Sequence, residues 1–202
     1  MIVVAIIATL AALAIVNLTQ SRVRANEATA LTALKNYCTA QVTFQTGRLG
    51  RVASNTSPGG DHTGYCRVFP NLFYGNPVRD SNAADLTLNI SLISKAHADA
   101  YIDSLVTYSE INAAPTVPPT SPVGYQGYQF ANSSDSDADP DFFLTKFSHL
   151  AVPARSGATG QNVYWVSLEG TIYYRGVPAN QDAATSAAIS TPDGSFSGWF
   201  NL

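Results

Sequence analysis

Charge is what this sequence has least of. Only 12% of its 202 residues are Asp, Glu, Lys or Arg, about half the usual share. The surface must therefore be built largely from uncharged polar side chains. That suits a protein outside the cell or packed against copies of itself. Residues 1–21 carry no charge at all. Proline and glycine are absent from Met1 until Gly47, so nothing there breaks a helix. Cysteine occurs twice, with no CxxC or Cys/His cluster that would hold zinc. GxSxG, HExxH, P-loop and GxGxxG patterns are all missing. His62, His97 and His149 are dispersed without ligand spacing and read as ordinary polar residues. Nothing here supports an enzyme.

What remains is globular. A hydrophobic content of 46% excludes wholesale disorder. The length holds one domain and one extension. Charge is unevenly placed. Residues 22–60 hold five basic residues and Glu27, so +5 − 1 = +4; residues 61–202 hold six basic and thirteen acidic, so −7. Five positive charges over about forty residues are too sparse for a nucleic-acid footprint, so no nucleic-acid partner is indicated. Lipid headgroups or the acidic faces of neighbouring copies suit them better.

Met1 to Val16 reads MIVVAIIATLAALAIV. Only Thr9 interrupts it, and Thr can bond back to its own helix. A segment apolar all round is not a half-buried surface helix. It belongs in a bilayer or at the centre of an assembly. A signal peptide would carry positive charge before the run, and none is present. The polar continuation keeps helical spacing through Val23, Leu31, Leu34, Cys38 and Val42. One helix of about 45 residues, roughly 70 Å long, is expected. Its segments are 1–21, apolar, and 22–47, amphipathic, with residues 48–202 as a head.

MIVVAIIATLAALAIVNLTQSRVRANEATALTAL closely resembles the N-terminal helix of type IV pilins and type II secretion pseudopilins. The resemblance covers roughly residues 1–45. It implies an α+β pilin fold: a long N-terminal helix whose C-terminal half packs on a small antiparallel sheet. It implies a subunit that waits in the inner membrane, is extracted by a pilus assembly machinery, and polymerises with itself into an extracellular filament. The filament core would be Met1, Ile2, Val3, Val4, Ile6, Ile7, Leu10, Leu13, Ile15 and Val16. Two departures stand out. The family's mature chain starts a few residues earlier, with a methylated aromatic residue and a glutamate, so Met1 would lie inside the mature helix. Val16 stands where many pilins have a kinking proline, which leaves Asn17 and Thr19 as the expected place for local melting. Two rival readings are a type II secretion pseudopilin and a membrane-anchored extracytoplasmic binding protein that never polymerises.

In the head, Gly47 and Gly50 should end the helix. Residues 47–84 are rich in turns. Residues 92–106 read as a second helix with Leu92, Ala96, Ile102 and Leu105 inward. Strand candidates are 125–130, 142–152, 163–168 and 171–175. The last two form the clearest hairpin, around a tight Glu169-Gly170 turn. Three or four strands would make the sheet, and Phe196, Trp199 and Phe200 would cover it or meet a neighbour.

Several site candidates remain. Cys38 and Cys66 suggest one disulfide in a chain that leaves the cytosol, contributing roughly 3–4 kcal/mol; two buried free thiols are the alternative. Asp135, Asp137, Asp139 and Asp141 alternate carboxylates that suit calcium, although Pro140 and Lys146 break the EF-hand pattern. A solvated acidic loop is the plainer reading. Thr116, Thr120 and Ser121 lie in PTVPPTSP, the composition of a glycosylated stalk or a rigid linker. Ten Tyr and nine Phe are read as strand and contact residues. Glu27 would pair with Arg24 one helical step away, or with a neighbour's arginine.

Overall fold

The computed structural model describes residues 2–47, 65, 71–74, 77–78, 86–87, 91–100, 124–132, 146–183 and 198–202. Helix α1 runs unbroken from Ile2 to Thr46, about 68 Å at 1.5 Å per residue. It passes straight through Asn17 and Thr19. Its threonines explain why so many polar residues are tolerated. Thr9 donates its hydroxyl to Ile6 O, and Thr19, Thr29, Thr32, Thr39, Thr43 and Thr46 each donate to the carbonyl four residues back. Gly47 follows the last turn and its N–H closes on Thr43 O, as its position predicts.

The sheet has five antiparallel strands in the order β3 (Tyr128–Asn132), β4 (Ser148–Pro153), β5 (Asn162–Ser167), β6 (Ile172–Gly176) and β7 (Phe200–Asn201). A two-residue ladder, β1 (Pro77–Val78) with β2 (Leu86–Thr87), stands apart from it. Two short helices, α2 (Asn71–Tyr74) and α3 (Lys95–Ala98), complete the described elements. The chain is therefore an α+β protein with a long N-terminal helix and a small antiparallel sheet.

Alternation along the strands puts the sheet between two apolar layers. Tyr128, Phe130, Ala151, Tyr164, Val166 and Ile172 face α1, where Ala30, Ala33, Leu34, Tyr37, Ala40 and Phe44 meet them. Leu150, Val152, Val163 and Trp165 face the other way, against Ala183 and Trp199. Every residue of β4 is buried. That is the pattern of a strand covered on both faces.

Four expectations need correction. The turn between β5 and β6 spans residues 168–171, two longer than a tight Glu-Gly turn. Gly170 takes φ +73° and donates its N–H to Ser167 O, a left-handed position that glycine fills without strain. The sheet gains a fifth strand, because Phe200 and Asn201 pair with Tyr174 and Tyr173. Within 92–106, helix is confined to Lys95–Ala98 among the described residues, with the Ser94 hydroxyl accepting from His97 N. Ala96 points outward, while Ile93, His97, Ala98 and Ala100 are buried; Ile102 and Leu105 lie outside the described residues. On α1, Val42 is exposed and the true inner stripe includes Tyr37 and Phe44.

Candidate assembly surface

The surface begins with the ends of α1 behaving differently. Residues 2–22 are exposed on every side. Ten of them are large apolar residues, from Ile2 at 78% exposure to Ile6 at 53%. Ile2, Val3, Val4, Ile6, Ile7, Leu10, Leu13, Ile15 and Val16, nine of the ten expected core residues, are among them. Met1 lies outside the described residues. Burying such a side chain stabilises by roughly 1–2 kcal/mol, so ten would contribute on the order of 10–20 kcal/mol before the cost of association. That is comparable with the whole stability of an ordinary domain. Among the described residues this is the one helix long and apolar enough to cross a membrane, and its most apolar stretch is wholly unburied.

From Val23 onward the same helix is anchored. Besides the apolar stripe, two adjacent polar residues clamp it to the head. Asn26 donates its side-chain amide to Thr159 O at 2.9 Å. Glu27 accepts from Gln161 N–H at 2.9 Å and from the Asn162 amide at 3.2 Å. The expected Glu27–Arg24 pair does not form; the Glu27 carboxylate faces the sheet instead. Two glycines make the close approach possible. A Cβ on Gly127, which sits at φ +76°, would fall 2.8 Å from the Asn26 amide nitrogen. One on Gly160 would overlap the Tyr128 hydroxyl. That hydroxyl donates to Asn162 O, so Tyr128 braces the strand that holds Glu27. Burial, joined by the nearby Glu27 charge, pushes the ionisation of Tyr164 up to about 12 and that of Tyr128 further.

Deeper in the head lies a cluster that the spacing of the histidines did not reveal. His149 stacks on Tyr37 of α1, ring centroids 4.1 Å apart. Phe130 lies parallel to it at 5.7 Å. His97 packs on Phe130 at 4.2 Å and stands 6.4 Å from His149. Both imidazoles are buried. Burial lowers His97 to about 3, and burial with the neighbouring His97 holds His149 well below the ordinary histidine value. Two neutral imidazoles thus work as aromatic core residues. Beside them, Thr29, Thr32, Asn36 and Thr39 line an uncharged groove of about 330 Å3 along the helix.

The other candidates are placed as follows. Cys38 is half-buried on α1 with a free thiol, which burial pushes up to about 11; Cys66 lies outside the described residues. So do Asp135, Asp137, Asp139 and Asp141, and Thr116, Thr120 and Ser121. Among the described residues, no group of three or more His, Cys, Asp or Glu side chains is placed to hold a metal ion. Trp199 is buried against the outer sheet face while Phe200 is exposed; Phe196 lies outside the described residues. Comparison with protein-family models, with curated proteins and with solved structures finds no match for this chain.

Proposed function

We propose that this chain is the structural subunit of an extracellular, type IV pilus-like filament with a pilin-type head. One observation carries the reading: an unbroken helix leaves a well-packed head and exposes fifteen apolar residues, from Ile2 to Leu18, on all sides. A one-sided apolar stripe would call for one partner surface. An all-round apolar rod calls for a continuous apolar surround. Before assembly that surround is the inner membrane. After extraction by an assembly machinery it is the bundled rods of other copies. The head is tied to the rod through Asn26, Glu27 and the Leu34–Tyr37–Phe44 stripe, so each added rod places a head at a fixed position on the outside. A head-to-tail contact that does not close on itself generates a helical polymer.

The test is direct. Extracellular material released by shear is imaged by electron microscopy and identified by mass spectrometry. Long filaments made mainly of this chain are expected. Retention of the chain in the membrane fraction, without filaments, would overturn the polymer and leave an anchored monomer or a short secretion piston.

A further inference from the structure

We propose that Arg22 and Arg24 form a collar that docks the chain on the phosphates of an anionic lipid surface. The proposal rests on the membrane-resident step of the function given above and names the lipid class that step prefers.

The uncharged stretch 2–21 of α1 is about 30 Å long at 1.5 Å per residue, the thickness of a bilayer's hydrocarbon core. The first charges met on leaving it are Arg22 and Arg24, both exposed. Neither makes an ion pair with any described residue. The acid one turn away, Glu27, is held by Gln161 and Asn162 of the head. Among the described residues the two guanidinium groups thus have no acidic partner.

Their placement selects the kind of partner. Two residues apart on a helix, at 100° each, they project about 200° apart. Val23 lies between them and is buried, so they leave the helix on opposite flanks of its contact with the head. One acidic side chain or one acidic loop cannot meet both. A plane of phosphates that surrounds the helix at one depth meets both. Arginine binds phosphate through two parallel N–H donors, and its stem lets the charged head reach the interface from the end of an apolar helix. The remainder of the molecule, residues 61–202, carries six basic against thirteen acidic residues and is repelled by the same surface. The collar is thus the favoured contact, and the head meets the helix at the same depth only on the Val23 side.

The full chain is reconstituted into vesicles of equal parts phosphatidylglycerol and phosphatidylcholine carrying nitroxide-labelled lipid of one kind or the other. Electron paramagnetic resonance gives the share of each lipid held at the protein. At each arginine, phosphatidylglycerol is expected to be held about fivefold more strongly, the ratio for roughly 1 kcal/mol per arginine near an anionic surface. The preference should fall to about onefold in R22Q/R24Q, whose unchanged circular dichroism would show that the helix persists. Equal holding of both lipids by the native chain would overturn the collar and leave the membrane step standing. A preference that survives in R22Q/R24Q would also overturn it. Absence of any protein-held lipid would overturn the membrane step itself. If the native chain shows no preference while R22Q/R24Q alone fails to form filaments, the arginines meet acidic residues of neighbouring copies and the lipid proposal is wrong.

Discussion

Helix α1 contains its own controlled comparison. Residues 2–22 and residues 23–46 share one backbone, one continuous hydrogen-bond ladder and similar helix propensity. The first half buries nothing; the second buries Val23, Ala30, Ala33, Leu34, Tyr37, Ala40, Gln41 and Phe44. Helicity and burial are thus set by different features of the sequence. Helicity comes from the absence of proline and glycine before Gly47 and from threonines that bond back onto the helix. Burial comes from whether apolar residues are confined to one stripe or spread around the circumference. A stripe finds a partner within its own chain. A full circumference finds no partner among the described residues, and the proposed membrane and filament would supply one.

The largest expected break in this comparison is Ala12→Asp. A carboxylate in the middle of the apolar rod should abolish filaments, while the melting temperature of the head, followed by near-ultraviolet circular dichroism, stays within about 2 °C, because surface changes away from the core cost little. Normal filaments would sink the assignment of the rod to a filament core. A matched pair sharpens the contrast. Leu34→Ala should cost about 2–5 kcal/mol in denaturant unfolding of the detergent-solubilised chain, whereas Leu10→Ala should stay within roughly 0.5 kcal/mol. Similar losses from both would erase the division at Val23.

Acid should separate the halves as well. His97 and His149 are held neutral in the folded head, and the unfolded chain binds their protons near pH 6.5. Stability is therefore full above pH 6.5 and is lost as pH falls toward the folded value, about 3 for His97, by about 1.4 kcal/mol per pH unit for each imidazole. Thermal melts from pH 7 to pH 4 should show the decline, and His149→Phe should reduce its slope by about half, leaving the His97 part; a flat profile in the native chain would contradict the buried neutral pair. The smallest effect concerns the clamp. Glu27→Ala should cost about 1–2 kcal/mol, while Arg24→Ala costs nothing measurable in the same unfolding assay. The reverse order would restore the local ion pair.

Much of this architecture was legible in the sequence because it is local. The helix, its end at Gly47 and the strands β5 and β6 follow from breakers and alternation within a few residues. What was missed depends on distant partners. Spacing offers Glu27 only Arg24 on its own helix or an arginine of a neighbouring copy, yet its partners Gln161 and Asn162 are 134 and 135 residues away. His97 and His149 read as dispersed because 52 positions separate them, and it is the packing of α3 on Phe130 of β3, the neighbour of β4, that brings them together. Strand β7 is two residues long and carries no periodic signal; it exists because β6 offers it an edge. Val42 was expected inside because it is aliphatic, but Tyr37 and Phe44 occupy the steps that face the sheet. Aromatics with polar neighbours hide a stripe that leucines would advertise.

In the proposed filament the rod is buried among its own copies outside the cell. Leu13→Cys, combined with Cys38→Ser and Cys66→Ser so that no other thiol reacts, tests this most directly, with a membrane-impermeant maleimide applied to shear-released extracellular material. Leu13 is 66% exposed on the single chain. The account predicts that Cys at this position is unreactive in that material and becomes reactive once detergent dissociates it. Full labelling of the intact extracellular material would contradict the account.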